Sequence, residues 1–121
     1  MDNIQLKIKK HQEVLTEYLT ELANFYNNAL GNVFTHQAII DTKNNHFQLV
    51  MLGWDNQDYY TYLVLFHLDI HPKTGNIWIQ QNNTEIDIDI ELEKRSNIPK
   101  KHFVLGFRPD YVREHSDYAV A

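Results

Sequence analysis

Three side chains that can bind a metal alternate along one predicted β-strand. His67, Asp69 and His71 are two residues apart, so all three project from one face of a strand, within about 13 Å end to end. Two histidines and a carboxylate occur together in catalytic zinc and non-haem iron sites. Such ligands usually come from different elements, however, and neighbours on one strand are about 6.6 Å apart. We therefore interpret the three as a solvated strand end beside a turn, and predict no catalytic, cofactor-binding or metal-binding residues and no cofactor.

The strand that positions these residues is half of a predicted β-hairpin. Every second residue in 60–70 is large and apolar, and interleaved leucines make the middle of the strand apolar on both faces, as in a central strand. Pro72 cannot donate to a strand ladder and Gly75 can adopt positive φ. Residues 71–76 are therefore predicted to form a tight turn before the strand that begins at Ile77.

Hydrophobic spacing predicts the other elements. Between residues 4 and 29 apolar side chains recur at three- and four-residue intervals, which predicts an amphipathic helix that Gly31 ends. The remaining strands are predicted at 33–42, 47–54 and 103–107. The predicted fold class is α+β, in one domain spanning 1–121. It is an antiparallel β-sheet meander with the long N-terminal helix packed on one face and a second helix before the last strand.

Residues 84–93 fit two secondary structures. Strict alternation of isoleucine and leucine with five carboxylates has the period of a strand. Thr84 with Asp87 resembles a helix capping box, and Lys94 and Arg95 suit a helix C-terminus. These residues alone leave both structures open.

Composition and charge limit the class of protein. A chain of 121 residues with 43% hydrophobic residues can bury a core. It has no cysteine, no apolar run near the roughly 20 residues of a membrane span and no signal-peptide pattern, so we expect a cytoplasmic protein without membrane contact. The net charge of −5 disfavours direct nucleic-acid binding. A weak DNA-binding module remains an alternative, through Lys100, Lys101, Arg108 and Arg113.

Aromatic and terminal residues allow two interpretations each. Trp54 and Trp78 could form an aromatic floor for a ligand, but we expect core positions, because buried tryptophan is common when its N–H finds a carbonyl. The chain given ends on Ala119-Val120-Ala121. Chain ends fray unless held, so Tyr118 and Val120 dock either on the domain's own sheet, which we favour, or on a partner.

Six short segments, in this order and spacing, are similar to one known family. They are Gly53-Trp54-Asp55, His67 to Ile70, Ile77 to Gln80, Thr84-Glu85, Val104 to Phe107 and Arg113 to Ala121. Together they resemble the XisI family, the fdxN element excision controlling factors. The resemblance covers nearly the whole chain and implies a helix in the 84–95 segment, which we therefore predict. It also implies an accessory factor of programmed DNA excision in cyanobacteria, acting beside the site-specific recombinase XisF and the companion protein XisH.

The predicted function follows from this resemblance and from the charge. We predict a non-enzymatic accessory or regulatory factor that controls site-specific DNA element excision through protein contacts. Its expected partners are a XisH-like protein and, indirectly, the recombinase, and a homo-oligomer is left open. The alternative from another class is a small hydrolase or metal-dependent enzyme that uses His67, Asp69 and His71.

The acidic segment is the predicted contact with the partner. The resemblance implies a nuclease-like fold for XisH, whose surface would suit a polyanion. Residues 85–93 place five carboxylates in nine positions, a density that repels itself and that a complementary partner would offset. The predicted partner-binding residues are Asp87, Asp89, Glu91, Arg113 and Val120. The alternative for this segment is an ordinary solvated acidic helix.

Overall fold

The computed structural model describes residues 3–121 and confirms the α+β class. Its elements are α1 (Asn3–Asn27), β1 (Thr35–Asp41), β2 (His46–Trp54), β3 (Tyr60–Ile70), β4 (Ile77–Asn82), α2 (Ile88–Ser96), a 3₁₀ turn (Lys100–His102), β5 (Phe103–Leu105) and α3 (Asp110–Arg113). Within this part of the chain no helix is long and apolar enough to cross a membrane.

The five strands form one sheet in the order β1-β2-β3-β4-β5. The first four pair antiparallel, as the predicted meander requires. The last strand, β5, instead runs parallel to β4. A parallel neighbour needs a long crossover connection, and the segment that contains α2 supplies it.

The hydrophobic core lies between the helices and one face of the sheet. Leu15 and Leu19 of α1 and Leu92 of α2 are fully buried. They join Phe47 and Phe66 of the sheet in one cluster of buried apolar side chains. Both predicted helices therefore pack by their apolar side, and the N-terminal helix covers a face of the sheet as expected.

A one-residue bulge decides which side chains of β3 reach this core. Leu49 pairs with Phe66 but Val50 pairs with Val64, so Leu65 is an extra residue on β3. A bulge shifts the alternation of the strand by one residue. The alternation predicted across residues 60–70 would put Tyr62 on the same face as Phe66, and this is wrong, since Tyr62 is 60% exposed and Phe66 is fully buried.

The turn between β3 and β4 contacts α1. Gly75 adopts a φ of +73° as predicted, and a Cβ built there would lie 3.0 Å from the Lys7 side chain. The carbonyl of Gly75 accepts a hydrogen bond from Nδ1 of His11, at 2.7 Å. Lys7 Nζ donates to Oδ1 of Asn76, also at 2.7 Å. Glycine here permits both the turn and the close approach of the helix.

Helix α2 is shorter than its predicted segment. Thr84 does not begin it, because its hydroxyl donates to Oδ1 of Asn82 and accepts from the backbone N–H of Ile86. Asp87 occupies the N-cap position, and within residues 3–121 its side chain makes no capping hydrogen bond. The predicted capping box is therefore wrong, although the helix itself is present.

The C-terminal segment packs on its own domain. Ala119 forms a parallel bridge with Val104, and its N–H donates to the carbonyl of Phe103 at 2.8 Å. Tyr118 packs against the core cluster, and Asn76 Nδ2 donates to the backbone oxygen of Ala121 at 2.7 Å. Of the two interpretations of the tail, docking on the domain's own sheet is the one found.

Candidate functional site

Two histidines and an aspartate meet on the face of the sheet that does not carry the core. His46 of β2 lies directly opposite Asp69 of β3, and its Nδ1 is 2.7 Å from Oδ1 of that carboxylate. Nε2 of His67 is 3.0 Å from the same oxygen. We call His46, His67 and Asp69 the His–Asp cluster. It joins adjacent strands, so its geometry depends on the register of β2 against β3.

Two glutamines orient the cluster from either side. Gln80 of β4 donates through Nε2 to Oδ2 of Asp69, at 3.1 Å. The side-chain amide of Gln48 lies 3.2 Å from Nδ1 of His67. When that amide donates, His67 carries its proton on Nε2 and donates it to Asp69. Each carboxylate oxygen thus accepts at least one hydrogen bond.

Electrostatics favour an ionised Asp69. Burial by itself would raise the pKa of this carboxyl, but hydrogen bonds from His46, Gln80 and His67 together hold the pKa below its usual range. The hydrogen bond to Asp69 raises the pKa of His46. Asp69 therefore lies as a carboxylate between the two histidine rings and favours the protonated form of His46.

His71 lies outside this group, which corrects the set considered from the sequence. Its Nδ1 accepts the backbone N–H of Lys73 at 3.1 Å, and its ring lies 6.2 Å from that of Trp78. The structure brings His67 and Asp69 together as the alternation suggests. The third member is His46, which the sequence analysis missed because the predicted second strand began one residue later.

A pocket adjoins the cluster. Its volume is about 350 Å³, and its walls include His46, Asp69, His71, Trp78 and Gln80. The imidazoles and the carboxylate supply metal-binding atoms, and the indole supplies an apolar wall. The arrangement can therefore accept an ion with a small bound molecule beside it.

The two tryptophans lie too far apart to form one ligand-binding surface. Trp54 pairs with Tyr60 at one end of β3, and Trp78 pairs with Asp69 at the other, roughly 30 Å away at 3.3 Å per residue. Trp54 is 63% exposed, so our expectation of a core position for it is wrong. Its ring centroid is 5.1 Å from that of Tyr60. Trp78 is half-buried.

The three acidic residues predicted to bind a partner have different environments. Asp87 is exposed at the start of α2. Asp89 is only 8% exposed and accepts a hydrogen bond from the hydroxyl of Tyr118, at 3.2 Å. Glu91 is half-buried and borders a groove between α1 and α2. Because α2 is a helix, Asp87 and Glu91 share a face and Asp89 points elsewhere.

The two predicted partner-binding residues of the C-terminal segment contact each other. Arg113 Nε donates to the carbonyl of Val120 at 2.8 Å, and another guanidinium nitrogen donates to the carbonyl of Arg108. The same guanidinium lies 5.0 Å from the ring centroid of Trp78. Val120 remains 43% exposed. Arg113 thus ties the tail to the sheet, and its charge is already engaged within the domain.

Replacing Arg113 by alanine is expected to loosen the tail. The change removes two hydrogen bonds to carbonyls and the contact over Trp78, which should cost roughly 1 to 2 kcal/mol of stability. Hydrogen exchange at the Ala119 amide, which is bonded to Phe103, should accelerate while exchange in β2 changes little. Unchanged exchange at Ala119 would show that the tail is held without Arg113.

A five-stranded sheet with α1 and α2 on one face and polar and aromatic side chains on the other defines a two-layer α+β protein. The XisI protein family matches residues 1–120, so the chain belongs to the XisI family.

Solved structures that share this fold include two from one organism. A XisI-like protein from Anabaena variabilis ATCC 29413 is 33% identical, with a TM-score of 0.78 over 94% of this chain and 99% of that one. The fdxN element excision controlling factor XisI from the same organism is 23% identical, with a TM-score of 0.72 over 95% of this chain and 99% of that one. At that identity the second structure shows the shared fold alone. A comparison with curated proteins gave no match.

Proposed function

We propose that this protein is a non-enzymatic accessory factor that controls site-specific excision of a DNA element through protein contacts. The observation that carries the proposal is the XisI family match over residues 1–120. A solved protein of the same fold is named as an fdxN element excision controlling factor. The net charge of −5 supports contact with a basic protein surface over contact with DNA phosphates.

The proposed partner is a XisH-like protein. Its nuclease-like fold, implied by the family resemblance, would offer a surface suited to polyanions, which an acidic protein can occupy. The recombinase would then be reached indirectly, through this partner. A cytoplasmic location belongs to the same proposal, since a factor that controls DNA excision acts where the DNA is.

The groove between α1 and α2 is the surface that we assign to this contact. It has a volume of about 540 Å³ and is bordered by Phe25 of α1 and by Glu91 and Arg95 of α2, and Arg95 forms an ion pair with Glu21 of α1. Phe25 is 69% exposed, and Asp87 lies exposed one helical turn before Glu91. The exposed Phe25 ring and the carboxylates of Asp87 and Glu91 suit a basic partner surface with an apolar pocket, while the charge of Glu21 is already met by Arg95. Asp89 is left out, because its carboxylate already binds Tyr118.

The expected result is a one-to-one complex that weakens as salt rises. The double variant Asp87→Asn/Glu91→Gln should bind the XisH-like protein roughly tenfold more weakly, because two carboxylates leave the contact while the fold keeps its buried residues. Co-purification followed by titration calorimetry at low and high salt measures both effects.

A matched control has the same charge change elsewhere. Asp110→Asn/Glu114→Gln removes two exposed carboxylates from the α3 region, and it should bind like wild type. Failure of wild type to associate at low salt would refute the partner. If both double variants bound like wild type, the groove would not be the contact surface, although the XisH-like protein would still be the partner.

A further inference from the structure

The His–Asp cluster has a geometry that the sequence did not suggest. Neighbouring side chains on one strand are about 6.6 Å apart, too far to share an ion, and metal sites usually draw ligands from several elements. The structure removes both points. His46 comes from β2 while His67 and Asp69 come from β3, and one ligand atom from each lies within 4.8 Å of the other two.

We propose that His46, His67 and Asp69 form a binding site for a divalent transition-metal ion of the zinc class, with one coordination position open to the adjoining pocket. Zinc bonds to nitrogen and oxygen are about 2.0 to 2.2 Å long, which places ligand atoms of a tetrahedral site roughly 3.3 Å apart. The nitrogens of His46 and His67 are now 2.7 and 3.0 Å from Oδ1 of Asp69. Small side-chain rotations suffice to admit the ion.

The surrounding groups can keep their hydrogen bonds when the ion binds. Both imidazoles bind in their neutral form, so the proton of His46 moves to its other ring nitrogen, which faces solvent on a side chain that is 57% exposed. In His67 the proton moves to Nδ1, and the Gln48 amide rotates to accept it. Gln80 continues to donate to Oδ2 of Asp69. Such outer partners fix the orientation of metal ligands in proteins.

The donor set selects the class of ion. Two imidazoles and one carboxylate suit zinc, cobalt, nickel and iron(II) better than magnesium or calcium, which prefer oxygen ligands. Three protein ligands also leave a position for water or for a small bound molecule. That position would open toward the 350 Å³ pocket walled by Trp78 and His71.

The test uses the full chain with zinc, and with cobalt(II) as a spectroscopic probe. One equivalent of zinc should remain bound after gel filtration, and cobalt(II) should give the visible absorption of a low-coordinate site with nitrogen and oxygen ligands. The variants His46→Ala, His67→Ala and Asp69→Asn should each weaken zinc binding by roughly 100-fold or more. His71→Ala, which changes a histidine in the same pocket, should bind zinc like wild type.

Folding and ion binding can be separated in this experiment. Circular dichroism reports the fold of each variant, and His46→Ala changes the most solvent-exposed ligand, so it should leave the fold intact. Less than stoichiometric zinc on the wild type would overturn the proposal. Wild-type affinity in a folded His46→Ala variant, or equal loss in His71→Ala, would overturn it too, and would leave the cluster as a hydrogen-bonded link between β2 and β3.

Discussion

Replacement of Phe66 by alanine is expected to lower the free energy of unfolding by about 3 to 5 kcal/mol. The side chain is fully buried and belongs to the cluster between the sheet and the helices. Truncation removes its burial and leaves a cavity that the close-packed neighbours can fill only in part. Urea denaturation followed by circular dichroism measures the loss.

Tyr62 is the matched control for this variant. It lies four residues earlier on the same strand, but it is 60% exposed on the opposite face. Tyr62→Ala should therefore cost less than about 1 kcal/mol, mostly through lost contacts with neighbours across the strands. Similar losses in the two variants would return both residues to one face and would contradict the bulge at Leu65.

That bulge also explains why the candidate site was only half predictable. A hairpin without a bulge that pairs Trp54 with Tyr60 would place His46 opposite Leu68, whose side chain faces the core. The extra residue on β3 shifts the pairing so that His46 lies opposite Asp69. Nothing in the alternation of the sequence marks a bulge, since the middle of β3 is apolar on both faces. The spacing of His67 and Asp69 could be read from the sequence, but their partner could not.

The fold was more predictable than the site because it depends on averages over many residues. The helical period of α1 and the run of apolar residues in β3 are each repeated many times, so single exceptions do not change the outcome. The parallel pairing of β5 and the late start of α2 depend on a few local contacts. Before α2 the hydroxyl of Thr84 donates to Asn82 and accepts from the N–H of Ile86, and a sequence pattern cannot distinguish this from a capping box.

A second large effect is expected from pH, through His11. This side chain is 1% exposed, and its Nδ1 donates to the carbonyl of Gly75. Burial lowers the pKa of His11 to about 4, the positive groups His102, Lys7 and Lys10 act in the same direction, and the bond to Gly75 opposes them. The ring of His102 lies 5.3 Å away, centroid to centroid. The folded protein therefore keeps His11 neutral in mildly acidic solution.

The sign of the effect follows from which state binds the proton. In the unfolded chain His11 should titrate near 6.5, so between pH 6.5 and about 4 the unfolded state is protonated at His11 while the folded state is not. The contribution of neutral His11 to the free energy of unfolding is then complete above pH 6.5. It falls as the pH decreases, by up to about 1.4 kcal/mol per pH unit and roughly 3 kcal/mol in total. Urea denaturation at a series of pH values from 7 down to 5 measures the upper part of this window, where carboxylates contribute little.

His11→Asn is the variant that isolates this contribution. The amide can still donate toward the carbonyl of Gly75, but it does not titrate, so the variant should be less stable at pH 7 yet lose less stability between pH 7 and 5. His36, whose pKa burial also lowers, does not contact His11 and cancels in the difference between the two proteins. The slope of the free energy of unfolding against pH reports how many more protons the unfolded state binds. Near pH 5 this number should be larger in wild type than in the variant by close to one proton per molecule. Parallel pH profiles for wild type and variant would show that His11 titrates alike in the folded and unfolded chains, and that its burial does not hold it neutral.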